Sequence, residues 1–382
     1  MGQSDELSPH VVLVGGGHAH LFVLEALIEG KLKAPGAVLV SPSERQYYSG
    51  MLPGVVAGHY NVDQCCIDLK ALANRAGIAF MEQRAIGLNT DERLVELEGG
   101  ECLPYDFVSL DVGSETDNRA FSGYEGCMFS VKPLDRFHAQ WQAFTATAER
   151  RGGCHLAVVG AGAAGVELAM ATNYALTKMG VSPRVSLIAS ENGLLSGFSD
   201  GVRCRVRAEL ERQNITLLTG RVSGEGTELS LSGGERLRVD AVILASGAMA
   251  PAWLAGSGLE LDDSGFVLVD QCHRSRSHPQ VFAVGDVAAR PDSSLMRSGV
   301  HSVRAGPVLA RNLASSLAFK SLSPFHPRGV VLYLLACGRK HGVASWGPLA
   351  ARGDWVWRWK DRIDRRFIKR FDARCHSMNE RG

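Results

Sequence analysis

The feature that most constrains this 382-residue chain is a glycine pattern behind a short apolar run. Leu156-Ala157-Val158-Val159 leads into Gly160-Ala161-Gly162-Ala163-Ala164-Gly165, and a helical pattern, Val166-Glu167-Leu168-Ala169, follows. A buried strand, a tight glycine turn and a helix start bring backbone N–H groups and the positive helix end to one point, where a pyrophosphate can sit. Such a pattern can arise by chance when it stands alone, so its surroundings decide its meaning.

The surroundings contain a second copy. Val11 to Val14 is an apolar run, followed by Gly15-Gly16-Gly17-His18-Ala19-His20 and a helical pattern from Leu21 to Ile28. Gly15 and Gly17 fit the pattern, but His20 stands where the third glycine belongs. That glycine normally allows close helix–strand packing, and a bulky side chain there costs ~1–3 kcal/mol unless the helix shifts. Each opening is followed by a hairpin, at Leu94 to Leu97 and at Glu228 to Leu231, and then by a buried strand. Those strands end in Asp111-Val112-Gly113 and Ala245-Ser246-Gly247. Matching order in both halves reads as two dinucleotide-binding units.

Composition narrows the partners. With 41 Lys plus Arg against 40 Asp plus Glu, no net field favours nucleic acid, so any basic feature must be local. The first ten residues carry no basic, apolar leader, and no apolar run reaches the length of a membrane span. The nine cysteines include the adjacent pair Cys65-Cys66 but no CxxC. A cytoplasmic setting with reduced thiols is expected, peripheral to the inner face of a membrane if the C-terminal segment binds one. His18 and His20 form an HxH, which reads as loop histidines capping backbone; no metal site is expected.

Late in the chain lies His278-Pro279-Gln280-Val281-Phe282-Ala283-Val284-Gly285-Asp286-Val287-Ala288. This closely resembles the third FAD motif of pyridine nucleotide-disulfide oxidoreductases and type II NADH dehydrogenases, whose aspartate binds the ribityl chain. Three further runs resemble the members of that superfamily also found fused to selenide, water dikinase. They are Tyr48-Ser49-Gly50-Met51-Leu52-Pro53-Gly54, Val303-Arg304-Ala305-Gly306-Pro307-Val308-Leu309-Ala310, and Trp357 to Phe371.

The resemblance implies an α/β fold of two three-layer Rossmann-like domains, the NAD(P)H domain inserted in the FAD domain. FAD then occupies residues 9–120 and 265–325, NAD(P)H residues 121–264, and a small α/β segment with a basic amphipathic helix fills 326–382. It implies FAD held by Gly15, Gly17, His20, Ser41, Pro42, Arg45, Met51, Leu52, Pro53, Gly113, Gly285, Asp286 and Gly306. NADH or NADPH is expected on Gly160, Gly162, Gly165, Glu191 and Gly247. Flavin itself carries hydride and electron chemistry, while the protein orients it. The implied activity is an FAD-dependent NAD(P)H oxidoreductase passing electrons to a quinone or another acceptor, with a functional link to selenide, water dikinase. Glu167 corresponds to a residue near the nicotinamide. Arg304 stands beside the flavin, where a cation stabilises developing negative charge; both are the expected catalytic residues.

The pattern departs in three places. The acidic residue that usually ends the second strand is Ser41 in the first unit and Ala189 in the second, with Glu191 two residues late. NADH is preferred, with Arg184 and Ser190 keeping NADPH open. Arg304 and Ala305 replace the paired glutamine that borders the quinone site in type II NADH dehydrogenases. No close cysteine pair follows the first strand, which argues against disulfide reduction. Cys127 and Cys337 keep a sulfide- or selenide:quinone activity as an alternative, and a flavin- and NAD-sensing regulatory protein is a second. Finally, residues 355–371 hold seven Lys or Arg against two Asp, a formal +5. Trp355, Trp359, Ile363, Phe367 and Phe371 recur at i+4, so the helix is expected either to lie on an anionic membrane or to dock on the protein body.

Overall fold

The computed structural model describes residues 10–131, 134–292, 298–327 and 329–372. Residues 1–9, read above for a leader, and 373–382 of the C-terminal segment lie outside the described residues.

Two five-stranded parallel sheets carry the fold. In the first, Val11–Val14 is central, with Phe107–Leu110 and then Val281–Ala283 on one side and Val38–Ser41 and Ala79–Glu82 on the other. In the second, Gly153–Val159 is central, with Ala241–Leu244 and Cys127–Ser130 on one side and Ser182–Ala189 and Thr216–Thr219 on the other. The central strands are apolar and buried because helices and loops cover both faces, as parallel sheets require.

The two units superimpose position for position. Val14 pairs with Leu110 as Val159 pairs with Leu244. The amide of Gly15 donates to Val40 O as that of Gly160 donates to Ile188 O, and Asp111 N donates to Val14 O as Ala245 N donates to Val159 O. Each unit also has a separate antiparallel meander, Ala85–Asn89 to Cys102–Pro104 in the first and Val222–Gly226 to Arg236–Arg238 in the second.

Four helices position the site: α1 (His18–Ile28), α2 (Ala163–Lys178), α3 (Gly299–Leu317) and α4 (Asp354–Arg370). α1 and α3 cover one face of the first sheet through Leu21, Leu24, Leu309 and Leu313. They approach closely because residue 306 is glycine; an added Cβ would lie 2.4 Å from the Phe22 ring. α2 covers the second sheet through Val166, Leu168 and Leu176. A three-stranded antiparallel sheet, Leu332–Ala336, Gly342–Trp346 and Leu349–Gly353, then leads into α4.

The i+4 aromatic stripe of α4 drifts around the helix and divides between solvent and the protein body. Trp355, Trp359 and Ile363 face outward, at 50%, 43% and 42% exposure, whereas Phe371 is buried and Phe367 stacks on Tyr48. The reason is helical arithmetic: each i+4 step overshoots a full turn by about 40°, so four steps rotate the stripe by about 160°. The face that docks instead carries Val356, Trp357, Lys360 and Asp364.

Candidate active site

The first glycine cradle forms where Val11–Val14 meets α1. Gly15 has φ +95°, and an added Cβ would lie 2.4 Å from Asp111 O. Gly17 caps α1, and its Cβ would strike the Asp111 carboxyl at 2.2 Å. Gly285, at φ +73°, closes the opposite side, where a Cβ would meet Asp111 Oδ1 and Ser302 Oγ, each at 2.9 Å. Only glycines leave this space, and the positive end of α1 opens onto it.

His20 fits without the third glycine because its ring is absorbed into hydrogen bonds. Nδ1 lies 2.6 Å from Gly15 O and Nε2 lies 2.8 Å from Ser109 Oγ. A carbonyl only accepts, so Nδ1 carries the proton and Nε2 accepts from the hydroxyl. Burial holds the imidazole down at about 4, against the raising effect of Gly15 O, so it is neutral. Asp111 Oδ2 accepts from the amides of Ala19 and His20 at 2.8 and 3.0 Å. Burial and the nearby Asp286 push this carboxyl up to about 7 against those two amides.

The second cradle has the full glycine set. Gly160 has φ +107°, Gly162 caps α2, and a Cβ on Gly165 would lie 1.7 Å from Gly160 O. Position 165 therefore tolerates no side chain while the helix stays where it is.

Between the cradles lies a cluster of charges. Glu167, in the first turns of α2, accepts from Ala336 N at 2.7 Å. Burial pushes its carboxyl up to about 7, with Lys360 and Ala336 N opposing and Asp364 reinforcing. Lys360 reaches in from α4 and donates to Gly50 O at 2.6 Å and to Asp364 Oδ2 at 2.8 Å. Burial works against its charge, but Asp364 and Glu167 outweigh that and hold the ammonium above its ordinary value. Burial likewise raises Asp364, against Lys360 and the Tyr48 hydroxyl. Next to it, the Tyr60 hydroxyl donates to Asp361 Oδ1 at 2.6 Å. Residues of both units and of α4 thus meet at one place.

Other expected site residues are distributed unevenly. Gly113 and Gly247 hold equivalent turns at φ +73° and +63°. Arg304, on the first turns of α3, buries Nη1 without a hydrogen-bond partner, which marks a place for an acceptor atom. Ser41 ends its strand buried, but its hydroxyl donates back to Ser43 O at 2.9 Å. Pro42 is exposed, and Arg45 reaches out to Asp63 at 3.4 Å rather than into the cradle. Met51 and Leu52 are core residues: Met51 packs with Tyr60, Cys65 and Trp357, and Leu52 with the second unit. Pro53 starts the short helix Leu52–Val56. Glu191 is exposed and pairs with Arg221 at 3.6 Å.

The thiols are quiet. Burial pushes the Cys65 and Cys337 thiols up to about 12. Asp111, Ser109, Lys360 and Asp364 escaped the sequence reading. Asp111 and Ser109 had one local signal: they occupy the positions of Ala245 and Ile243 in the second unit.

Two equivalent glycine cradles, an ordered Gly285-Asp286 turn and a charge cluster joining them define a two-unit dinucleotide-binding oxidoreductase. The chain belongs to the Pyridine nucleotide-disulphide oxidoreductase family, which residues 9–306 match. It is 29% identical over 331 residues to the alternative NAD(P)H-ubiquinone oxidoreductase C1 of Arabidopsis thaliana, an alignment that covers 76% of this chain but only 63% of that protein. Its fold resembles the sulfide:quinone oxidoreductase of Aquifex aeolicus, with TM-score 0.79, 16% identity, and 96% and 92% of the two chains covered. It also resembles NDH2 from Plasmodium falciparum solved with NADH, with TM-score 0.77, 16% identity, and 95% and 98% covered.

Proposed function

We propose that the protein is an FAD-dependent NAD(P)H oxidoreductase that passes electrons to a quinone. The observation that carries this reading is the meeting of Glu167 from the second unit with Lys360 and Gly50 beside the first. FAD fits the first cradle, since α1 opens its positive end behind the Gly15-Gly16-Gly17 turn and Arg304 Nη1 waits for an acceptor. Gly15, Gly17, Gly285, Asp286 and Arg304 would hold it; NADH would lie on Gly160, Gly162, Gly165 and Gly247.

When bound, the flavin supplies hydride acceptance and onward electron transfer. Glu167 holds or releases a proton near neutral pH, the range in which a general acid or base is most effective. Lys360 supplies a fixed positive charge that favours negative charge developing nearby. The printed name of the Arabidopsis relative, an NAD(P)H-ubiquinone oxidoreductase, supports quinone as acceptor. NADH is the preferred donor: Glu191 would turn from Arg221 to a ribose hydroxyl, which a carboxylate suits, whereas it repels a phosphate. A sulfide-oxidising role needs a ready thiolate, and the buried Cys337 is poorly suited to supply one.

Peripheral membrane contact is part of the proposal. Trp355, Trp359 and Ile363 are exposed on α4 among Arg358, Arg362 and Arg366, and Trp346 and Leu349 are exposed at the adjoining hairpin turn. Among the described residues, no helix is long and apolar enough to cross a membrane. The deciding test is anaerobic mixing with NADH. Rapid bleaching of bound flavin followed by steady turnover with a quinone supports the enzyme, and Asp286→Ala should sharply lower flavin content. Nucleotide binding without bleaching would refute this function and favour a sensor.

A further inference from the structure

The first cradle contains a carboxyl that the second lacks. Backbone register makes Asp111 the equivalent of Ala245, because each follows the strand residue paired with the last residue before the glycine turn. Each also donates its amide to that residue's carbonyl. By the same register Ser109 replaces Ile243 and His20 replaces Gly165. Three exchanges that lie far apart in sequence therefore form one connected group, His20 bonding to Ser109 and Asp111 accepting from the His20 amide.

The place where Asp111 sits matters more than its presence. Its Oδ2 takes two amides at the positive end of α1, where an anion would be held, and the carboxyl lies within 2.2 Å of a Cβ built on Gly17 and 2.9 Å of one on Gly285. It therefore fills the gap between the two glycines that frame the cradle. The groups facing it are the neutral His20 from α1, Asp286 from the Gly285–Val287 turn and the Ser302 hydroxyl from α3. On α3, His301 interacts with Arg304 and Asp286. No cation is among the groups that act directly on Asp111.

We propose that Asp111 is a proton-taking member of the FAD site, so that FAD binds to the acid form of Asp111 and draws a proton from solvent when the site is ionised. The inference rests on the assignment of FAD to the first unit. A pyrophosphate at the end of α1 competes with an ionised Asp111 for the same amides and repels it, with Asp286 already close by. The neutral acid avoids the repulsion and can donate its own O–H. The sign follows from linkage: a group that gains affinity for protons when ligand binds makes ligand binding weaken as pH rises. Because Asp111 is held at about 7 before FAD arrives, the effect begins at neutrality and strengthens above it.

The test is calorimetric titration of FAD into deflavinated full-length protein, in buffers of different ionisation enthalpy, near pH 6 and near pH 8. The expected result is uptake of about one proton per FAD at the higher pH and a small fraction of one at the lower. FAD affinity should fall by up to about tenfold per pH unit between them, above neutrality. Asp111→Asn and Asp111→Ala, the latter installing the residue of the second unit, should abolish the uptake and flatten the pH dependence. The wild-type comparison stands even if a variant does not fold. FAD bound without proton uptake near pH 8, or with the same uptake in Asp111→Asn, overturns the inference alone; a protein that binds no FAD at either pH overturns the flavin assignment as well.

Discussion

Replacing Lys360 by methionine keeps most of the side chain's apolar bulk but removes the ammonium held between Asp364 and Gly50 O. The Lys360 and Asp364 side chains are 14% and 6% exposed, so the pair is buried, and breaking such a pair costs about 3–5 kcal/mol. An upper bound comes from letting Asp364 escape by protonation. Raising a carboxyl with an ordinary value near 3.9 to its acid form costs about 5–6 kcal/mol at about pH 8, but only about 1.5 kcal/mol at about pH 5. The variant's carboxyl binds protons more tightly folded than unfolded, so its stability should fall as pH rises above about 4. Urea unfolding followed by tryptophan fluorescence suits the question, because Trp355, Trp357 and Trp359 lie on α4 itself. The loss against wild type should reach about 3–5 kcal/mol near pH 8 and shrink by more than half near pH 5. Adding Asp364→Asn should restore most of it. An equal loss at both pH values, or no recovery in the double variant, would refute the reasoning.

Two further outcomes follow from contacts already described. Gly165→Ala places a Cβ 1.7 Å from Gly160 O, so α2 must shift; overpacking of about 1–3 kcal/mol should weaken NADH binding by about ten- to a hundredfold while FAD content stays unchanged. Unaltered NADH affinity in a titration would sink the cradle assignment. Trp355→Ser with Trp359→Ser removes outward-facing apolar surface, at ~1.5–3 kcal/mol per side chain if lipid buries it. Co-sedimentation with anionic vesicles should drop steeply while thermal stability holds; undiminished sedimentation would remove the membrane contact from the proposal.

The parts of the fold legible in the sequence were the local ones. A strand, a glycine turn and a helix fall within about fifteen residues, and the same order appears twice, so both openings could be read without tertiary information. The role of His20 could not, because its explanation lies at Ser109 and Asp111, which are 89 and 91 positions away. The segment 355–371 was legible only as two alternatives. Its two acids, Asp361 and Asp364, enter the sequence only as a subtraction from the net charge, and in the fold they bond to Tyr60 and Lys360 on the docking side. A buried ion pair and a solvated one have the same i,i+4 spacing, so only the fold tells them apart. Arg45 and Glu191 sit in exposed pairs with Asp63 and Arg221, contacts that no local pattern in the sequence announces.

The reach of α4 also sets an order on biosynthesis. Lys360 and Arg370 meet Gly50 and Glu25 across 310 and 345 positions of chain. The first sheet is completed only by Val281–Ala283 and α3, which follow the second unit, and Phe22 and Tyr48 then still lack their α4 partners Phe371 and Phe367. A nascent chain therefore carries a sticky patch until α4 is made, and translation that stalls before α4 leaves a product with two nucleotide folds and an open seam. An apolar surface left open in this way is prone to aggregate, so docking of α4 through Phe367, Phe371 and Lys360 is what closes the first unit.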